Sequence, residues 1–118
     1  MRVLLLFAVI AVFSQPAIAG EMDKIRARCQ AEWPTKYVMQ RYCIKGQTEA
    51  SQDVVALYHG EASKGPFLRI LEQCMAEWGT LERQTNWRMV AHCYRRERGA
   101  YIALTMDNVS RRIHRTGP

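Results

Sequence analysis

Four cysteines, three histidines and two glutamates set in a repeated context are the residues of this 118-residue chain whose types invite chemistry. Cys29, Cys43, Cys74 and Cys93 can form disulfides or bind a metal. Structural zinc favours cysteine pairs a few residues apart, whereas these lie far apart along the chain, so the expectation is no metal. Haem attachment needs Cys-x-x-Cys-His, and Ala91-His92-Cys93 lacks the first cysteine, so no cofactor is expected. His59, His92 and His114 show no ligand spacing with a carboxylate between them. Glu32 and Glu77 each follow a cysteine by three residues and directly precede a tryptophan. Paired carboxylates can do acid/base work. The plainer expectation is a structural hydrogen bond or an ion pair to the facing helix, with Lys36 or Arg41 as partner. No Ser/His/Asp or Cys/His set and no glycine-rich phosphate loop is present.

What positions these residues is an internal repeat. The stretch IRARCQAEWPT (residues 25–35) aligns with ILEQCMAEWGT (70–80), and KYVMQRYCIKGQTEA (36–50) with NWRMVAHCYRRERGA (86–100), once 81–85 is taken as an insertion in the second copy. Cys29/Cys74, Trp33/Trp78, Met39/Met89 and Cys43/Cys93 are identical pairs of uncommon residues. Each copy reads as helix, turn, helix. In the first, Pro34 ends one helix and Thr35 caps the next, because the residue before a proline is pushed out of the α region. Met39, Cys43, Gly46, Ala50, Val54 and Leu57 then follow the three-and-four spacing of one helical face. In the second, a helix from Phe67 stops at Gly79 and a long helix runs from about Thr85 to Ile113, with Met89, Cys93, Ala100 and Leu104 on its inner face. The expected fold class is all-α: two tandem antiparallel helical hairpins, about four helices, over residues 24–59 and 67–113. Residues 60–66 form the linker and 114–118 a basic tail.

Four cysteines allow three pairings. The repeat favours Cys29–Cys43 and Cys74–Cys93, which treat both copies alike and lie level across each turn. In the chain-entropy model, closing a loop of about 15 residues stabilises by roughly 3 kcal/mol. Trp33 and Trp78 are expected to plug the closed ends of the hairpins against the disulfides and Met39 or Met89, worth about 2 to 3 kcal/mol each on burial. Gln47 and Glu97 stand in equivalent places one turn beyond the second cysteine of each copy, as candidate polar links between helices.

Disulfides require an oxidising compartment, and the N-terminus supplies a route to one. Arg2 precedes an apolar run from Val3 to Phe13, followed by Ser14-Gln15-Pro16-Ala17-Ile18-Ala19, the form of a signal peptide cleaved after Ala19. The run is short beside the roughly 20 residues needed to cross a bilayer. The expectation is a signal peptide over 1–19, a single domain over 20–118, no integral membrane segment in the mature chain, and a periplasmic or secreted location. Asn108-Val109-Ser110 matches the glycosylation triplet.

The pattern Cys29-Gln30-Ala31-Glu32-Trp33, then Met39 to Cys43, resembles a short cysteine-tethered element of small exported bacterial proteins, over roughly 25–58 and 70–104. That resemblance implies a tethered helical hairpin and carries no activity. The architecture also resembles disulfide-tethered helical hairpins in general, without the Cys-x9-Cys spacing of the mitochondrial members, and implies fold class alone.

Charge suggests the remaining class of function. Lys and Arg number 17 against 11 Asp and Glu. The mature surplus lies wholly after Thr85, where seven arginines meet only Glu97 and Asp107. The leading expectation is a non-enzymatic exported protein that binds another protein, as an accessory subunit, inhibitor or immunity-type factor. The alternative is a basic surface that binds anionic membrane, glycan or nucleic acid through Arg95, Arg96, Arg98, Arg111, Arg112 and Arg115. A small enzyme is the third.

Overall fold

A computed structural model describes residues 17–79 and 85–117. They form four α-helices: α1 (Ala17–Glu32), α2 (Tyr37–His59), α3 (Gly65–Trp78) and α4 (Trp87–Thr116). Among the described residues there is no strand. The fold class is all-α, as expected. The signal peptide falls largely on residues outside those described; α1 begins at Ala17, seven residues before the expected Lys24.

The disulfides are Cys29–Cys43 and Cys74–Cys93, with Cα atoms 5.6 and 5.7 Å apart. Each joins the two helices of one hairpin. Cys29 and Cys74 are fully buried, and Cys43 and Cys93 partly so.

The turns differ from expectation in detail. Pro34 does end the first helix, but the N-cap of α2 is Lys36, one residue after Thr35, and no side chain caps it. Gln40 reaches back instead, its Nε2 donating to the Trp33 carbonyl at 2.6 Å. That bond satisfies a carbonyl beyond the end of α1, where intrahelical partners have run out. Between the hairpins, the amides of Gly60 and Ala62 both donate to the Leu57 carbonyl, at 3.1 and 3.0 Å, and Ala62 is fully buried. Gly65 then opens α3 at φ +71°, a left-handed conformation natural to glycine, with Pro66 in the first turn. Gly79 caps α3, its amide donating to the Met75 carbonyl at 2.7 Å. A Cβ there would lie 2.9 Å from the Thr85 side chain and 3.0 Å from the Met75 carbonyl, so a larger residue would have to push one of them aside. α4 starts two residues after Thr85 because Asn86 is its cap, accepting from the Met89 amide at 3.3 Å.

α1 packs on α2, α3 on α4, and α2 on α4. α2 and α4 run parallel: Gln47 meets Trp87, and Glu61, just beyond α2, meets Tyr94 and Arg98. The main core lies between them and α3, built from Ala50, Val54, Ala62, Leu71, Cys74, Val90, Ala91 and Tyr94. Burial of each large side chain there is worth about 1.5 to 3 kcal/mol. Ile25 and Cys29 are the buried residues that α1 contributes.

Three expectations about burial are corrected. Trp33 and Met89 are only half-buried, and Met39 and Trp78 lie more than a third exposed, so they plug nothing. Trp33 and Met39 border an open groove shared with α4 and not a closed core. On α2 the read face holds at Ala50 and Val54, which are buried, and fails at Met39. On α4 the buried residues are Val90, Ala91 and Tyr94, whereas Ala100 is exposed and Leu104 is 66% exposed. The reason is length: α3 reaches back only to Phe67, which meets Arg98 and Tyr101. Beyond Ile102 every described residue of α4 is exposed.

Candidate interaction surface

The seam between the hairpins is polar at both ends and apolar between. At one end Gln47, 5% exposed, serves the start of α4. Its Oε1 accepts from the Trp87 amide at 2.8 Å and the Arg88 amide at 3.4 Å, and its Nε2 donates to Asn86 Oδ1 at 3.0 Å. One side chain thus satisfies two of the orphan donors of a helix terminus. Alongside, Trp87 Nε1 donates to Glu21 of α1 at 2.9 Å. At the other end the Tyr94 hydroxyl donates to Glu61 at 2.6 Å, and Arg98 donates to both Glu61 oxygens at 2.7 and 3.1 Å. The Tyr94 hydroxyl and the Arg98 guanidinium hold the Glu61 carboxyl below its ordinary range. Burial, reinforced by the Glu61 carboxylate, pushes the Tyr94 phenol up to about 12.

Gln47 was expected as a polar link between helices, and it is one; its counterpart Glu97 is exposed and makes no such link. Glu61 stands in the expected linker, and its bonds to Tyr94 and Arg98 join residues more than thirty positions apart, with no local pattern to announce them.

On the open side of the seam a groove of about 610 Å³ is lined by Glu32, Trp33, Tyr42, Asp53, Arg88 and His92, among others. Glu32 and Glu77 are not brought together there, since Glu77 is not part of the lining. Neither makes the expected ion pair with Lys36 or Arg41; the ion pairs among the described residues are Lys24–Glu21, Lys45–Glu49, Arg98–Glu61 and Arg111–Asp107. His59 and His114 lie in the last turns of α2 and α4. Among the described residues no group of three or more His, Cys, Asp or Glu is placed to hold a metal ion.

Comparison of the chain with protein-family models, curated proteins and solved structures finds no match. The surface is therefore read from its own chemistry.

The six arginines do not form one patch. Arg98 is engaged with Glu61 and lies over the Phe67 ring, its guanidinium 5.4 Å from the centroid. Arg95 lines the groove, and Arg96 is exposed on another face of α4. Arg111, Arg112 and Arg115 do gather, around a depression beside Asn108.

The other feature of α4 escaped the sequence reading. Ile102, Met106, Val109 and Ile113 recur at four, three and four residues, one stripe of a helix. Met106, Val109 and Ile113 are 63%, 46% and 64% exposed. The stripe continues, at the same spacing, the line of Ala91, Arg95 and Arg98, which border an open groove shared with α2 and Glu61. At a rise of 1.5 Å per residue, the uncovered part of α4 extends about 20 Å past the core. No described helix is long and apolar enough to cross a membrane. The two disulfides suit an oxidising environment outside the cytosol.

Proposed function

We propose that this protein is an exported, non-enzymatic binding protein, periplasmic or secreted, that captures a partner helix along the uncovered half of α4. The observation that carries the reading is the apolar stripe Ile102, Met106, Val109 and Ile113, which prolongs the side of α4 that borders α2. Its natural occupant is an amphipathic helix lying as α2 does, apolar toward the stripe and acidic on the flank that meets Arg112. An exposed stripe of this kind, set on a rigid cross-linked base, suits a binding partner better than solvent.

A photo-crosslinker placed at Met106 in cells tests it. The expected result is one discrete protein adduct, lost in an Ile113→Glu background, while the fold, read by helicity, is unchanged. Absence of any protein adduct defeats the reading.

A second reading rests on Arg111, Arg112 and Arg115, which gather around one depression, with Arg112 on the flank of the stripe and the other two on the far side of α4. In it the helix lies on an anionic membrane. Vesicles of anionic lipid would then bind the protein in a salt-sensitive way and lose it when the three arginines become alanine. Lipid adducts from a photo-crosslinker at Asn108, beside the three arginines, with no protein adduct at Met106, favour this reading over the first.

A further inference from the structure

The two hairpins correspond in sequence and share the placement of their disulfides and of one further contact. In hairpin one Met22 lies against Thr48, its sulfur 3.7 Å from the hydroxyl. In hairpin two the counterparts Phe67 and Arg98 are likewise in contact, the guanidinium 5.4 Å from the ring centroid. Yet the contact between hairpins uses different halves of the two second helices. α2 docks with its later part, through Gln47, Ala50 and Val54, and α4 receives it on its earlier part, from Asn86 to Tyr94.

Each half therefore has an unused counterpart. The counterparts of Gln47, Ala50 and Val54 are Glu97, Ala100 and Leu104, all exposed. The counterpart of the receiving face is the start of α2, where Tyr37 is 72% and Val38 67% exposed and where no side chain caps the helix. Val38, Arg41, Tyr42, Ile44 and Lys45 form an open depression of about 500 Å³ there. They correspond to Arg88, Ala91, His92, Tyr94 and Arg95, which line the two grooves along the seam.

We propose that a second copy of this chain docks there, head to tail, with Glu97, Ala100 and Leu104 of one copy on the first half of α2 of the next. Charge supports that occupant. The neutral pair Gln47–Asn86 within the chain becomes Glu97–Lys36 between chains, two opposite charges. The Glu97 carboxylate reaches the uncapped amides of Tyr37 and Val38, where the helix dipole favours an anion. Leu57, which shares a groove with Arg95, has Asp107 as its counterpart, and Arg95 has Lys45. Asp107 and Lys45 are each held in an exposed ion pair one turn away, with Arg111 and Glu49, so this second pair would form by exchange. Because the surfaces differ, each added copy leaves one of each free, and assembly extends rather than closing at two.

Sedimentation velocity of the purified, disulfide-bonded protein from micromolar to millimolar concentration tests this. The mean mass should rise steadily past that of two copies. Val38→Asp and Leu104→Asp, each at an exposed position, should each give single copies, and an equimolar mixture should give pairs that grow no further. Glu97→Lys should weaken association about tenfold or more, the scale of a lost cap, and Lys36→Glu in the same chain should restore it. A mass that stays at one copy into the millimolar range overturns the proposal, as does growth that stops at two. So does persistence of assembly in either aspartate variant. Loss of assembly in Ile113→Glu would also overturn it, by assigning the contact to the apolar stripe, whereas the partner-helix reading stands or falls on the crosslinking alone.

Discussion

The two hairpins share their cysteines, tryptophans and turn position, yet one half of the repeat is far more deeply embedded than the other. In α4 the residues around the second cysteine, Val90, Ala91 and Tyr94, are buried. Their counterparts in α2, Gln40, Arg41 and Ile44, are half-buried or exposed. The difference lies in what each second helix is offered. α4 is flanked by α3 and α2, whereas among the described residues the start of α2 packs on α1 and faces α4 across an open groove. A duplicated motif thus specifies the hairpin, and residues that differ between copies specify how hairpins meet. Leu71 and Val90, where hairpin one has Arg26 and Gln40, turn one copy into a core and leave the other as its appendage.

Removing the disulfides one at a time should expose that inequality most strongly. Replacing Cys74 and Cys93 together by alanine should destabilise by about 3 to 5 kcal/mol, through the released loop and the void left in the main core. The same change at Cys29 and Cys43 should cost about 3 kcal/mol, and hydrogen exchange should rise chiefly in α1. Equal losses spread evenly over both hairpins would mean that the core is shared rather than centred on the second.

A smaller effect separates Gln47 from Glu97. Gln47→Ala strands the Trp87 amide and should cost about 1 to 2 kcal/mol in denaturant unfolding. Glu97→Ala, at an exposed position of the single chain, should change the stability of dilute protein by less than about 0.5 kcal/mol.

The loss of a single hydrogen bond at Tyr94 has a pH signature. Tyr94→Phe removes the bond to Glu61 and should cost about 1 kcal/mol near neutral pH. The folded protein holds the Tyr94 phenol up at about 12, so its contribution is complete below pH 10 and is lost as pH rises toward 12. Glu61 is held below its ordinary range, so its contribution is complete above that range and is lost as pH falls through it. The gap between wild type and Tyr94→Phe should therefore be widest between about pH 5 and 10 and narrow on both sides. A gap independent of pH would assign Tyr94 a role through packing alone.

The local features were legible in the residues and the distant ones were not. Pro34, Gly79 and the two cysteine pairs place every helix end within a few residues, except at the start of α1, because their effects act through neighbours in the chain. Periodicity locates the inner face of α2 at Ala50 and Val54, where α4 packs against it, and misleads at Met39, which stays exposed. The same reasoning put Ala100 and Leu104 inside α4, where no helix is left to cover them. Trp33 and Trp78 were assigned to the interior on hydrophobicity and repetition, neither of which says whether anything lies opposite. For the candidate surface, the arginines were visible as composition, but their division between Glu61, the groove and the free end of α4 depends on contacts that skip tens of residues.

Both covalent bridges close within their own hairpin, and none crosses from one to the other. Tension applied to the two ends of the chain would thus find two locked loops in series, joined by a seam that Gln47, Glu61, the Trp87–Glu21 bond and the apolar contacts hold shut. That seam is where the molecule gives way first, and each hairpin would survive its opening with its own cross-link intact.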